Sequence, residues 1–111
     1  MEKMHRVRVV FSDESFDLVR SDLLKLCDEL FVSNTTLFRL AIEHCLGIET
    51  FGKIISRSHD KNSVSCLISK DDIDRFPSLN KEKAMLLRKT ITDYRSGEIS
   101  KELLKKIIPH I

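Results

Sequence analysis

The chain has 111 residues, of which 41% are hydrophobic and 32% are charged, and its formal net charge is +2. This length fits one ordinary domain, or a very small domain with an extension, and the hydrophobic content is enough for a packed core. The N-terminus is polar and charged, and no apolar stretch is long enough to span a bilayer. We therefore expect a cytoplasmic protein with no membrane partner.

The three cysteines, Cys27, Cys45 and Cys66, are widely spaced, form no CxxC pair and each lie in an apolar run. That pattern favours buried free thiols over a disulfide framework or a zinc site, and it suits a reducing compartment. The four histidines have no ligand spacing, and His59-Asp60 is accompanied by no nucleophile or Gly-rich phosphate loop. We expect no enzyme, no metal and no cofactor.

Charge is unevenly distributed along the chain. Residues 1–12 carry Lys3, Arg6 and Arg8 against Glu2, whereas residues 13–47 carry seven acidic residues against three basic ones. Residues 81–111 carry eight basic residues against four acidic ones. A basic start and a basic end therefore flank an acidic middle, although the small net charge alone neither requires nor excludes nucleic acid.

Residues 6–11 alternate basic with apolar side chains and are rich in β-branched residues, which predicts a strand with two different faces. Ser12 followed by two acids predicts the start of helix A. The helix carries one apolar stripe, formed by Phe16, Val19, Leu23, Leu26, Cys27 and Leu30. We expect it to end near residues 31–32.

The polar run Ser33-Asn34-Thr35-Thr36 predicts a capped turn that opens helix B. Gly47 is placed to end this helix as a left-handed residue. The apolar face of helix B consists of Leu37, Phe38, Leu40, Ala41, Ile42, Cys45 and Leu46.

Residues 48–62 are expected to be a connection with a helical turn around residues 51–55, and residues 63–68 a short strand. A capping box at residues 69–72 predicts a single turn before Pro77. Asn80 is expected to cap a helix that carries Ala84, Leu87, Ile91 and Tyr94, and Gly97 to separate it from a last amphipathic helix with Ile99, Leu103, Ile107 and Ile108.

A lone strand followed by two helices buries too little surface to be stable by itself. One solution is an intertwined homodimer in which residues 6–11 pair antiparallel with their own copy. Val7, Val9 and Phe11 would then face the core, and Arg6, Arg8 and Val10 would face outward. A two-stranded ribbon fits the DNA major groove, where arginine contacts guanine.

Residues 4–47 resemble the ribbon-helix-helix family of repressors, although they lack the Gly that the family commonly carries before its second helix. The resemblance implies a mainly α fold, with a ribbon-helix-helix module at residues 1–47 that pairs its strand with a dimer mate. A connection at residues 48–62 and a small, mostly helical C-terminal region at residues 63–111 follow.

The resemblance also implies that base contacts come from Arg6, Arg8 and Val10, and phosphate contacts from Ser33, Asn34 and Thr35. We add Lys3 and His5 as phosphate contacts beside the ribbon.

We expect a homodimeric, nucleoid-associated transcriptional repressor that binds double-stranded DNA. Two alternatives stay open. The first is an antitoxin-like module whose residues 63–111 bind a protein partner. The second is a protein–protein adaptor that binds no DNA, which intramolecular pairing of residues 6–11 with residues 63–68 would favour.

Overall fold

The computed structural model describes residues 4–10, 17–48, 55–56 and 63–110. These residues form a mainly helical fold with a small sheet. The strands are β1 (Met4–Val10), β2 (Ile55–Ser56) and β3 (Ser63–Ser69), and the helices are α1 (Asp17–Leu30), α2 (Asn34–Leu46), α3 (Lys70–Arg75), α4 (Ser78–Lys81), α5 (Lys83–Arg95) and α6 (Lys101–Ile107). The predictions for Lys3, for the start of helix A at Ser12, for Phe11 and for residues 51–54 lie outside the described residues.

The strands form one sheet in the order β1-β3-β2, and both pairings are antiparallel. β1 pairs with β3 over its whole length, from Met4 opposite Ser69 to Val10 opposite Ser63. Val7 is fully buried within this single chain. Within this chain β1 therefore pairs with β3, through the intramolecular pairing that the sequence left open, and burial of Val7 does not require a second copy.

Local signals place α1 and α2 as predicted. Ser33 is the N-cap of α2, and its hydroxyl accepts a hydrogen bond from the amide of Thr36. Gly47 ends α2 in the left-handed region with φ +69°, a conformation that glycine adopts without a Cβ penalty. Helix A thus ends at Leu30, one residue before the predicted boundary.

The C-terminal half differs from prediction in three details. Ile55, predicted to end a helical turn, and Ser56, predicted to lie in the connection, instead form β2, because they pair with Leu67 and Cys66 of β3. Asn80 lies inside α4 instead of capping α5, whose N-cap is Glu82. The hydroxyl of Ser69 makes no capping hydrogen bond to α3, although the predicted turn before Pro77 is present.

One hydrophobic core joins the N-terminal and C-terminal halves of the chain. α2 is its central element, since it packs against β3, α1, α5 and α6. The largest fully buried side chains come from both halves of the chain: Phe38, Leu23, Leu26, Leu37, Leu40, Ile42, Leu79, Leu87, Ile108 and Val7. Residues 1–47 therefore do not complete a core of their own, and the C-terminal helices take up the apolar surface of α2.

Candidate nucleic-acid interface

β1 and β3 form a seven-position antiparallel ribbon at one side of the sheet. Arg6 is opposite Leu67, Arg8 opposite Ser65 and Val10 opposite Ser63. Directly opposed residues belong to the same face of an antiparallel pair, and neighbours along a strand alternate between faces. These six positions therefore share the face opposite to that of the buried Val7, and none of them is acidic.

The dimensions of this ribbon suit a DNA groove. Neighbouring strands lie about 4.8 Å apart, so a two-stranded ribbon fits a major groove about 12 Å wide. β2 adds a third strand at only two of the seven positions of β3, Leu67 and Cys66. The end of the ribbon that carries Arg8 and Val10 is therefore two strands wide within the described residues.

His5 holds a different register position from the arginines. It is opposite Ile68, which is 2% exposed, so it shares the strand parity of Val7. His5, predicted to contact phosphate, therefore lies on the other face of β1 from Arg6 and Arg8, which were predicted to contact bases.

The N-terminus of α2 brings together the residues that were predicted to contact phosphate. Ser33 is exposed, and its Oγ lies 3.0 Å from Oγ1 of Thr36. Oδ1 of Asn34 accepts a hydrogen bond from the thiol of Cys27 at 3.5 Å. Thr35 is buried. Ser33 and the half-buried Asn34 therefore reach the surface at this positive helix end, whereas the Thr35 side chain packs inside.

Phe31 is an unusual residue beside this helix end. It is 84% exposed and has φ +57°, which is a left-handed conformation that is unfavourable for residues with a Cβ. The amide of Val32 donates to the carbonyl of Cys27 across this turn. Phe31 thus occupies the kind of position where a Gly is favoured, two residues before the capping residue Ser33.

The Cys27 thiol is held in its protonated form. Burial, together with the neighbouring charge of Asp28, raises the pKa of Cys27 to about 12. A thiol with so high a pKa is a poor nucleophile. Its hydrogen bond to Asn34 instead ties the C-terminal part of α1 to the start of α2.

A polar cluster joins α2 to α5. The carboxylate of Asp93 is 2.7 Å from Nε2 of His44 and 2.9 Å from Nζ of Lys89. Its hydrogen bonds to His44 and Lys89 lower the pKa of Asp93 to about 2. The adjacent Cys45 thiol contacts the hydroxyl of Thr90 at 3.5 Å.

A second ion pair extends the connection to α6. Nζ of Lys106 lies 3.0 Å from the buried carboxylate of Glu43. The burial of Asp93 and Glu43 was not predicted from the sequence. It could have been found from the position of each acid on the apolar side of its helix. Because each carboxylate is paired with a cation from its own or another helix, these groups fix the helices in place.

No group of three or more potential metal ligands occurs among the described residues. No helix in the described part of the chain is long and apolar enough to cross a membrane. Comparison with known proteins gives no matching family model, curated protein or solved structure. The likeness to ribbon-helix-helix proteins therefore rests on the residues of this chain alone.

Proposed function

We propose that the chain is a sequence-specific DNA-binding protein that acts as a homodimeric repressor and reads the major groove with its basic strand. The observation that carries this proposal is the register of β1, in which Arg6 and Arg8 occupy the positions that alternate with the fully buried Val7. Arginine at the outer positions of such a ribbon is suited to guanine edges in the major groove.

Two arrangements of the homodimer can be compared, and the first uses the outer edge of β1. β3 pairs with one side of β1, and no described strand pairs with the other. An antiparallel contact between two copies of this edge would bring both Arg6–Arg8 pairs to the two-fold axis, as the ribbon-helix-helix resemblance implies. Four strands would then span about 14 Å between outer backbones, which exceeds the width of the groove. The groove width thus favours a second arrangement, in which each chain inserts its own two-stranded β1–β3 ribbon into the major groove. The two chains would then occupy the two halves of a palindromic site.

The decisive experiment compares Arg6→Ala/Arg8→Ala with the wild-type chain. DNA sites are first selected from a random duplex library with the wild-type chain, and affinities for the selected and a random duplex are then measured by fluorescence anisotropy. Each bidentate arginine is expected to contribute about 1–3 kcal/mol of discrimination. The double variant should therefore lose most of the preference for the selected duplex while retaining weak binding to the random duplex.

The matched control is Lys25→Ala/Lys101→Ala, which removes the same charge from exposed positions on α1 and α6. It should leave the ratio of the two affinities unchanged. An Arg6→Ala/Arg8→Ala variant that discriminates as well as wild type would refute the reading role of the ribbon.

A second candidate function is a protein–protein adaptor that binds no DNA. The pairing of β1 with β3 inside the chain favours it, because a strand that is already paired does not need a DNA-bound dimer to be stable. Failure of the wild-type chain to bind any duplex at low salt would select this alternative. The antitoxin-like alternative is less well supported, because α5 and α6 pack on α2 in the shared core instead of standing apart as a clamp.

A further inference from the structure

We infer that the outer face of α5 is a second DNA-contacting surface, which binds the phosphate backbone without regard to sequence. This inference rests on the proposed DNA-binding function and extends it to a surface other than the ribbon. We call this surface the cationic stripe and define it by its exposed residues: Lys81, Met85, Arg88, Lys89, Thr92 and Arg95.

The stripe follows from the helical period. Met85, Arg88, Thr92 and Arg95 succeed one another at steps of three and four residues, so they fall on one side of α5. Lys89 flanks them. Lys81 is the last residue of α4, two residues before α5 begins. The opposite side of α5 carries the buried Leu86, Leu87, Thr90 and Ile91, which pack toward the core.

Charge is segregated on this helix. The only acidic residue of α5, Asp93, is 6% exposed. Every exposed residue within α5 is therefore cationic or uncharged, although the chain as a whole is nearly neutral. Acids beside this surface are the exposed Glu82, between α4 and α5, and Glu29, which pairs with Arg95. The part of the surface within α5 is complementary to a polyanion.

The existing ion pairs hold two of the cations in place. Lys89 forms an ion pair with Asp93. The Arg95 guanidinium donates two hydrogen bonds to the Glu29 carboxylate, with N–O distances of 2.7 and 3.1 Å. Both cations remain accessible, since the side chains of Lys89 and Arg95 are 62% and 44% exposed. Each can thus contact a phosphate while its stem is already ordered, which lowers the entropic cost of binding.

The size of the stripe matches duplex DNA. From Met85 to Arg95, within α5, it extends about 15 Å at the helical rise of about 1.5 Å per residue. This distance corresponds to about four phosphates at about 3.4 Å of axial rise along one strand. The stripe points away from α2, whereas β3 packs on α2, so it is a separate surface and not a continuation of the ribbon.

The test measures binding of the full chain to a random-sequence duplex and to the selected duplex over a range of salt concentrations. The variant is Lys81→Ala/Arg88→Ala, and the control is again Lys25→Ala/Lys101→Ala. Each phosphate contact adds about 0.9 to the slope of log affinity against log salt. Loss of one contact therefore weakens binding about eightfold at 0.1 M salt, relative to a 1 M reference.

We expect Lys81→Ala/Arg88→Ala to bind both duplexes about 60-fold more weakly at 0.1 M salt and to have a slope shallower by about two. The ratio of the two affinities should not change, in contrast to Arg6→Ala/Arg8→Ala. Equal affinity and slope for the stripe variant and the control would overturn this inference while leaving the ribbon proposal intact.

Two further outcomes also count against the inference. If the wild-type chain binds neither duplex, the proposed function and the stripe are refuted together. The second outcome concerns competition with poly-L-glutamate, which offers carboxylates in place of phosphates. If it displaces the duplex as effectively as unlabelled DNA of equal charge, the cationic stripe is suited to an acidic protein and not to DNA.

Discussion

Truncation of Val7 tests whether β1 is buried by its own chain. Val7 is fully buried and lies opposite Cys66 in the β1–β3 ribbon. Val7→Ala removes two methylene equivalents, which cost about 1.6 kcal/mol of transfer free energy. A cavity that collapses only partly adds about 1 kcal/mol. The free energy of unfolding should therefore fall by about 2.5 kcal/mol, which corresponds to a decrease in Tm of about 10 °C for a domain of this size.

The assay is urea unfolding followed by circular dichroism, at protein concentrations where sedimentation shows the chain to be monomeric. The control is Met85→Ala, because Met85 is 63% exposed and its truncation should change stability by less than about 0.5 kcal/mol. If Val7→Ala were as harmless as Met85→Ala in the monomer, Val7 would be buried only by a second chain. That result would restore the dimeric ribbon as the source of the stability of β1.

Two other predictions concern the N-terminal cap of α2 and the contact between α2 and α5. Ser33→Ala removes the oxygen that accepts the amide of Thr36 at the start of α2, and urea unfolding should show a loss of about 1 kcal/mol; an unchanged midpoint would mean that the cap contributes nothing. Asp93→Asn should flatten the pH dependence of stability in acid. Because its hydrogen bonds to His44 and Lys89 lower the pKa of Asp93 from 3.8 to about 2, this carboxylate stabilises the fold above its unfolded pKa, and that contribution is lost as pH falls toward 2. Urea midpoints across this range should decline more steeply in wild type than in the variant, and parallel declines would contradict the prediction.

The sequence predicted α1, α2 and the α5–α6 pair because their signals are local. The apolar stripe of α1, the hydroxyl of Ser33 and the left-handed Gly47 each act within a few residues of their own positions. The same is true of Gly97, which has φ +74° between α5 and α6. Such features depend on backbone geometry and on the helical period, so no knowledge of distant contacts is needed to find them.

The partner of β1 could not be chosen from local signals. Val7 and Cys66 are opposite each other in the sheet but 59 positions apart in the chain, and a short apolar strand carries no mark of which strand it will pair with. The position of Asn80 shows a related limit, because a polar residue that can cap a helix can also lie within a short one. Here the turn after Pro77 takes Asn80 into α4, since proline is favourable at the start of a helix.

The pairing of β1 with β3 inside one chain changes the role that a dimer would have. If β1 needed a second copy in order to fold, Arg6 and Arg8 would be tied to the dimer axis, and DNA binding would follow from stability. With Val7 already buried in one chain, dimerisation is not required to bury the strand. Under the proposed function, a dimer would instead match two ribbons to two half-sites. The basic residues of β1 would then act together with Ser63 and Ser65 of β3, which are opposite Val10 and Arg8. The residues that read a DNA sequence would therefore come from β1 and from β3, in the middle of the chain, and not from the first 47 residues alone.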